Sequence, residues 1–265
     1  MFSFDSMPQE NRFRVRKDGE IIGDVMLVGE ELKYSLVQRD IQWEMVDSLL
    51  ELTGKEEFYL DGISINRKLW EKNTVFYLVR HASTWINEEY RLQGWYDPPL
   101  TEGGIREAEK TGKALKDIEF VKAASSDLER AYKTMEIALE GRNIPMERRE
   151  MLREINFGVF DKYRVVDVMP DEYFNPVGYR FCGGENYNEV SFRVLTELRY
   201  QSYISGKGNV FIASSSAALY QTLCRIDSDK FPQGKVPWKA IPNGAFVKVG
   251  YSRGKFTVLQ GKYNG

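Results

Sequence analysis

The 265-residue chain holds a single histidine, His81, and two cysteines, Cys182 and Cys224. Two cysteines cannot build a disulfide framework, and with one histidine they leave few soft ligands for zinc or copper. They fit buried or half-buried thiols kept reduced, so a cytoplasmic setting is expected. No run of 18 or more apolar residues occurs, which excludes a transmembrane helix of ordinary length. The amino-terminal stretch "MFSFDSMPQENRFRVRKDGE" lacks the basic-then-apolar order of a secretory signal. The formal net charge is −2, with 37 Lys and Arg against 39 Asp and Glu. No excess of one sign is therefore there to draw nucleic acid or an anionic membrane. What is present is ordinary: 42% hydrophobic and 29% charged residues, enough to bury a core. The length suits one large domain, or one of about 200 residues with a smaller attachment.

The pattern changes character near residue 73. Before it, "RFRVRKDGEIIGDVML" reads as two strands around an Asp-Gly turn, and "ELKYSLVQRD" as a third strand. "IQWEMVDSLLELTG" sets Ile41, Met45, Leu49 and Leu52 on one helical face, with Gly54 as a stop. "EEFYLDGISIN" returns to strand character. Residues 1–73 are expected to form a small α+β segment without a chemical motif, suited to contact with a protein partner or a second copy. From residue 74 to 265 strands and helices alternate. "TVFYLV" (74–79) and "NVFIAS" (209–214) are apolar runs of the kind covered on both faces of a sheet. Thr101 is a plausible N-cap for a helix over 101–118 with Ile105, Ala108, Gly112 and Leu115 inward. A strand at 121–125 leads into the helix "LERAYKTMEIALEG". A long helix faces Val190, Val194, Leu195 and Leu198 inward, "SAALYQTLCRI" forms another helix, and "GAFVKVGY" with "KFTVLQG" closes the sheet. The expected fold class is α/β: a three-layer α/β/α sandwich with a mostly parallel sheet, plus the small amino-terminal segment.

Ligands of such sheets bind beyond the carboxyl ends of the strands. Three of those ends carry groups suited to phosphate: Arg80-His81 in "YLVRHAST", Arg130 in "SSDLERA", and Ser214, Ser215 and Ser216 in "ASSSAA". Arginine forks grip phosphate oxygens, helix N-termini offer amide donors, and a histidine can accept a phosphoryl group on nitrogen. "ASSSA" is also faintly like a serine nucleophile turn, with His81 as its base, a reading in which the two arginines have no place. Ser215 has a plainer reading as the helix N-cap.

"LVRHASTWINEEYRLQGWYDPPLTEGGIREA" resembles the signature of the histidine phosphatase superfamily, the phosphoglycerate-mutase-like proteins: R-H-G-x-T-x-x-N, then Q-G, then D-x-P-L-T-x-x-G. "SSDLERAYKT", "LREINFG", "GGEN" and "IPNGA" follow in the same order. Single motifs of this kind are weak, but the ordered series is specific, and it runs from residue 74 to the C-terminus. The resemblance implies a phosphomonoester hydrolase acting on a small phosphorylated metabolite, of the phosphatase rather than the mutase branch, with no metal or other cofactor. It matches His81 to the phosphorylated histidine and Arg80 and Arg130 to the phosphate clamp. Asn87 falls in the phosphate site, and Gln93 and Gly94 in the loop beside it. Glu154 matches the carboxylate that protonates the leaving oxygen, with Glu150 and Glu172 as neighbouring carboxylates. Trp95, Tyr96, Tyr173, Phe174 and Tyr179 are candidates for the substrate rim.

Three departures bear on activity. Ala82 stands for a glycine, Ser83 for a glutamate, and Ser215 falls where the family carries its second catalytic histidine. A neutral hydroxyl gives one hydrogen bond and no positive charge. Loss of such a donor costs roughly 3–4 kcal/mol of transition-state stabilisation, on the order of 10²–10³ in rate. The resemblance therefore leaves two expectations: a weakened phosphatase, or a catalytically inactive protein of the same fold that binds a phosphorylated ligand or acts as a scaffold.

Overall fold

The structure is a computed structural model. It describes residues 2–6, 12–28, 31–36, 45–53, 57–60, 63–66, 73–168, 178–232 and 241–260. Ile41, Trp43, Gly54, Glu172, Tyr173 and Phe174 lie outside these, as does the side chain of Leu52. The chain divides into two compact units, Met1–Asn73 with Tyr251–Lys255, and Thr74–Gly250 with Phe256–Gly265.

The amino-terminal unit contains β1 (Phe2–Ser6), β2 (Arg12–Lys17), β3 (Glu20–Val28), β4 (Glu31–Leu36), α1 (Val46–Thr53), β5 (Glu57–Leu60) and β6 (Ile63–Asn66). The strands make one six-stranded sheet in sequence order. Asp18 and Gly19 take positive φ values of 51° and 90° between β2 and β3. Two such residues form the hairpin turn whose twist matches the flanking strands, as the Asp-Gly pair predicts. Val15, Val25, Met45, Leu49 and Leu50 are buried.

The larger unit contains β7 (Thr74–Arg80), α2 (Trp85–Glu88), α3 (Glu102–Ala114), β8 (Phe120–Ser125), α4 (Glu129–Ala138), β9 (Met146–Arg148) and α5 (Val165–Val168). α6 (Tyr187–Ser205), β10 (Gly208–Ser214), α7 (Ser216–Ile226), β11 (Phe246–Ser252) and β12 (Lys255–Val258) follow. The sheet order is β12-β11-β7-β10-β8-β9. β10 runs parallel to both β7 and β8, and β9 runs parallel to β8. The fold is thus α/β with a mostly parallel central sheet and flanking helices. Alternation along the strands sorts the core into two faces. Tyr77, Val79, Phe211 and Ala213 join Leu115 with Ala131 and Met135 of α4. Phe76, Leu78, Val210 and Ile212 are equally buried on the opposite face, where α6 meets β10 and α7 meets β7.

Of the predicted inner face of α3, Ala108 and Leu115 are buried, Gly112 is half-buried, and Ile105 needs correction. Ile105 is 41% exposed, and the buried residues are Gly104, Ala108 and Thr111. Gly104 lies directly on the Ser83 carbonyl, where a Cβ would overlap it, and Thr111 donates to the Gly244 carbonyl at 2.7 Å. Thr101 caps α3 as expected, its side chain accepting from the Gly104 amide at 3.0 Å. Val190, Val194, Leu195 and Leu198 are buried on α6, which Asn186 and Glu189 open with a reciprocal capping box.

Candidate phosphate-binding site

In register, β7 ends at Arg80 beside Ser214 of β10, and Ala124 and Ser125 of β8 pair with Ile212 and Ala213. The parallel strands therefore deliver their carboxyl ends to one edge, and a cavity of about 540 Å³ opens there. Its walls include Arg80, His81, Ser83, Asn87, Gln93, Glu107, Glu154, Ser216, Ala217 and Asn243.

His81 is 2% exposed. Its backbone amide donates to the Ser214 carbonyl at 2.8 Å, and its carbonyl accepts from Asn243 Nδ2 at 2.9 Å. Ring atom Nδ1 faces the Ala82 carbonyl at 2.8 Å. A carbonyl only accepts, so Nδ1 carries the proton and Nε2 keeps its lone pair. Burial, then Arg130 and Arg80, hold the ring well below its usual pKa of 6.5. A neutral imidazole with a fixed tautomer is a ready nucleophile.

Arg80 donates from Nη1 to the Ile241 carbonyl at 2.6 Å. Its Nε is buried without a partner. Burial lowers its pKa to about 10, while Glu154 and Glu107 hold the charge in place. Arg130 is fully buried. Its Nη2 donates to the Gly94 carbonyl at 2.6 Å and its Nη1 to the Tyr96 carbonyl at 2.9 Å, so these atoms are committed to the 94–97 loop. Nε again has no partner. Arg130 is not part of the cavity wall, although it depresses the His81 ring. Gly94 likewise stays behind the wall, and Gln93 lines it. Gln93 Oε1 accepts from Thr84 Oγ1 at 2.9 Å, while its buried Nε2 has no partner. Asn87 Oδ1 accepts from Thr84 N at 3.1 Å, which leaves Nδ2 as its donor.

Ser215 holds the N-cap position of α7 but makes no side-chain cap. That expected role falls to Glu154. Its Oε2 accepts from Ala217 N at 3.0 Å, and its Oε1 from Ala218 N and Ile155 N, each at 2.8 Å. A carboxylate at a helix start gains from the amides and the dipole, which leaves the Ser215 hydroxyl buried with no partner. Ser216 and Ala217, not Ser215, face the cavity. The serine-hydrolase reading lacks its Ser–His hydrogen bond, since Ser215 Oγ bonds nothing and His81 Nδ1 bonds Ala82. Burial raises the Glu154 pKa against those three amide bonds and Arg130. Glu150, by contrast, is 77% exposed beside Arg153.

Trp95 and Tyr96 do not line the cavity. Trp95 Nε1 donates to the Glu154 carbonyl at 3.0 Å, and Tyr96 meets Trp85 edge-on. Tyr179 is buried against Phe157, with ring centroids 4.8 Å apart. Sequence reasoning missed several supports. Glu107 accepts from Ser83 N at 2.8 Å and Ser83 Oγ at 2.9 Å. Asp161 accepts from the amides of Gly94, Trp95 and Tyr96 at 2.9–3.1 Å. Asp97 receives the amides of Glu129 and Arg130. Asp97 and Asn243 sit inside the D-x-P-L-T and "IPNGA" segments, so a closer look at those motifs would have found them. Glu107 and Asp161 carry no local signal.

The fold and this edge define an α/β protein with an arginine–histidine pocket at the ends of parallel strands. The chain belongs to the histidine phosphatase superfamily (branch 1), whose family model matches residues 76–263. It is 35% identical over 130 residues to a probable phosphoglycerate mutase of Citrobacter koseri, covering 46% of this chain and 60% of that protein. It is 29% identical over 189 residues to a fructose-2,6-bisphosphatase of Danio rerio, covering 65% and 71%. Its fold is similar to a phosphoglycerate mutase from Bacillus anthracis, with a TM-score of 0.64 at 27% identity, over 74% of this chain and 96% of that one.

Proposed function

We propose that the chain hydrolyses the phosphomonoester of a small metabolite through a phosphohistidine on His81. One observation carries this reading: Arg80, His81, Asn87 and Glu154 line one cavity, and two of its wall residues, Arg80 and Gln93, hold buried donors without partners at Nε and Nε2. Buried polar atoms are seldom left unsatisfied, and a tetrahedral anion offers several acceptor oxygens. Relatives whose names describe a mutase and a bisphosphatase of phosphorylated small molecules support the same chemistry. In the forward step His81 Nε2 attacks phosphorus and the P–O bond to the alcohol breaks. The Glu154 carboxyl, its pKa raised by burial, gives its proton to the departing oxygen. Glu154 then takes a proton from water, the water oxygen attacks phosphorus, and the P–N bond breaks to release phosphate. No step in this sequence calls for a metal.

Ser215 stands where the family pattern has a histidine, and its buried hydroxyl does not line the cavity, so turnover is slow. The same feature favours a second reading, a non-catalytic member that binds a phosphorylated ligand. Residues 1–73, with their own six-stranded sheet, are proposed as a separate domain for contact with a protein partner or a second copy. Cys182 and Cys224, both free thiols, support a reducing, cytoplasmic setting.

The test is release of inorganic phosphate from a panel of phosphomonoesters without added metal. The wild type is expected to turn over, His81→Ala to be silent, and Ser215→His to gain on the order of 10²-fold. A silent wild type that still binds vanadate would replace the enzyme reading with the binding one.

A further inference from the structure

Beyond the phosphate end, the cavity wall changes character. Leu92, Phe157, Val165 and Tyr187 line it, all at most 9% exposed. Backbone bonds hold this wall together: Leu92 N donates to the Tyr163 carbonyl at 2.8 Å and Val165 N to the Tyr90 carbonyl at 2.9 Å. Behind it, Phe157 meets Tyr179 edge-on, and Tyr179 meets Tyr187 at 6.4 Å. Among the described residues the whole wall carries three carboxylates and two cations, and Glu107 and Glu154 lie near Arg80 at the phosphate end. Glu88, Glu107 and Glu154 are carboxylates, and no lysine lines the cavity among the described residues. Apart from Arg80, the lining cation is Arg91, and it is already engaged. Its Nε pairs with Glu89 at 2.7 Å and its Nη1 donates to the Lys162 carbonyl at 3.1 Å.

We infer that the preferred ligand is a phosphate monoester of an uncharged alcohol carrying a bulky apolar or aromatic group. A ligand with a second phosphate or a carboxylate is disfavoured. The inference rests on the phosphate site proposed above. The volume of about 540 Å³ is far more than one phosphate group fills, and it falls in the range of small-molecule sites. The remaining space is bounded by buried side chains that repay apolar contact. A second anion would meet Glu88, and among the described wall residues the cation beyond Arg80 is Arg91, which is shared with Glu89.

The test is equilibrium binding to the full chain of three probes that cannot be hydrolysed. They are inorganic phosphate, 1-naphthylmethylphosphonate, and the phosphonate analogue of 3-phosphoglycerate. The naphthyl compound is expected to bind at least about tenfold tighter than inorganic phosphate, a gain that burying roughly 60 Å² of apolar surface supplies. The carboxylated analogue should bind no tighter than inorganic phosphate. Glu89→Gln releases Arg91 from an exposed ion pair, so it should raise affinity for the carboxylated analogue about two- to fivefold and leave inorganic phosphate unchanged. A carboxylated analogue that binds as well as the naphthyl compound overturns the ligand class. If Arg80→Ala still abolishes phosphate binding in that case, the phosphate site stands. If inorganic phosphate itself does not bind, both readings fall.

Discussion

With one histidine in the chain, every imidazole signal belongs to His81. Its ring is held neutral by burial and by two guanidinium groups, and the sign of the consequence can be worked out. The folded pKa lies below the usual 6.5, so above pH 6.5 the folded and unfolded rings are both neutral and the contribution is fully present. As pH falls below 6.5 the unfolded chain takes up a proton that the folded site refuses. Stability then drops by about 1.4 kcal/mol per pH unit until the folded pKa is reached. Glu154 acts with the opposite sign. Its carboxyl is raised by burial, so its contribution is complete at low pH and is lost as pH rises from about 4.5 through the folded value. Comparing slopes separates the two. Urea unfolding of wild type and His81→Gln between pH 5 and 6.5 should show the wild type losing stability more steeply, by one proton. Parallel curves would mean that His81 is not held neutral.

At the level of elements, the strands and long helices were legible because their apolar periods are long. β7 and β10 are continuous apolar runs, and α6 repeats its buried residues over 19 positions. β9, three residues long, has no period to read. The site was legible where chemistry sits in a motif, as at Arg80, His81 and Glu154. It was illegible where a side chain acts across the fold. Glu154 caps a helix 62 positions further on, and Asp161 fixes the loop that receives Arg130. Helix α3 shows how one residue of a pattern misleads, since Ala108 and Leu115 are buried as predicted and Ile105 is not. An apolar Ile105 predicted the inward face, yet the backbone of Ser83 comes so close that glycine, at 104, occupies it. A paired substitution tests this. Gly104→Ala should cost about 1–3 kcal/mol through overpacking and weaken phosphate binding, because Ser83 leads directly from His81. Gly103→Ala, whose Cβ would meet only ordinary contacts, should be neutral or stabilise by up to about 1 kcal/mol through helix propensity. Equal effects in a denaturant titration would show that the α3–Ser83 contact sets nothing.

For the whole molecule, the proposed phosphate site would tie stability to ligand. Arg80 and Gln93, both on the cavity wall of one unit, hold buried donors without partners, so the folded chain gains bonds on binding which the unfolded chain cannot make. An anion present at 100 times its Kd should stabilise that unit by about 2.7 kcal/mol. For a domain of this size, roughly 2–4 °C accompanies each kcal/mol, so the melting temperature should rise by about 5–10 °C. The chain has two compact units, and two units need not melt together. If calorimetry resolves two transitions, phosphate should move the one that also responds to Arg80→Ala, and leave the other in place. Arg80→Ala should lose the shift, because it removes the buried guanidinium on the cavity wall while leaving the sheet intact. The same experiment with Ser215→Ala asks how much the orphaned hydroxyl matters to binding. That variant should keep most of the shift, since Ser215 stands behind the wall that Ser216 and Ala217 form. A shift that survives Arg80→Ala undiminished would place the anion elsewhere on the molecule.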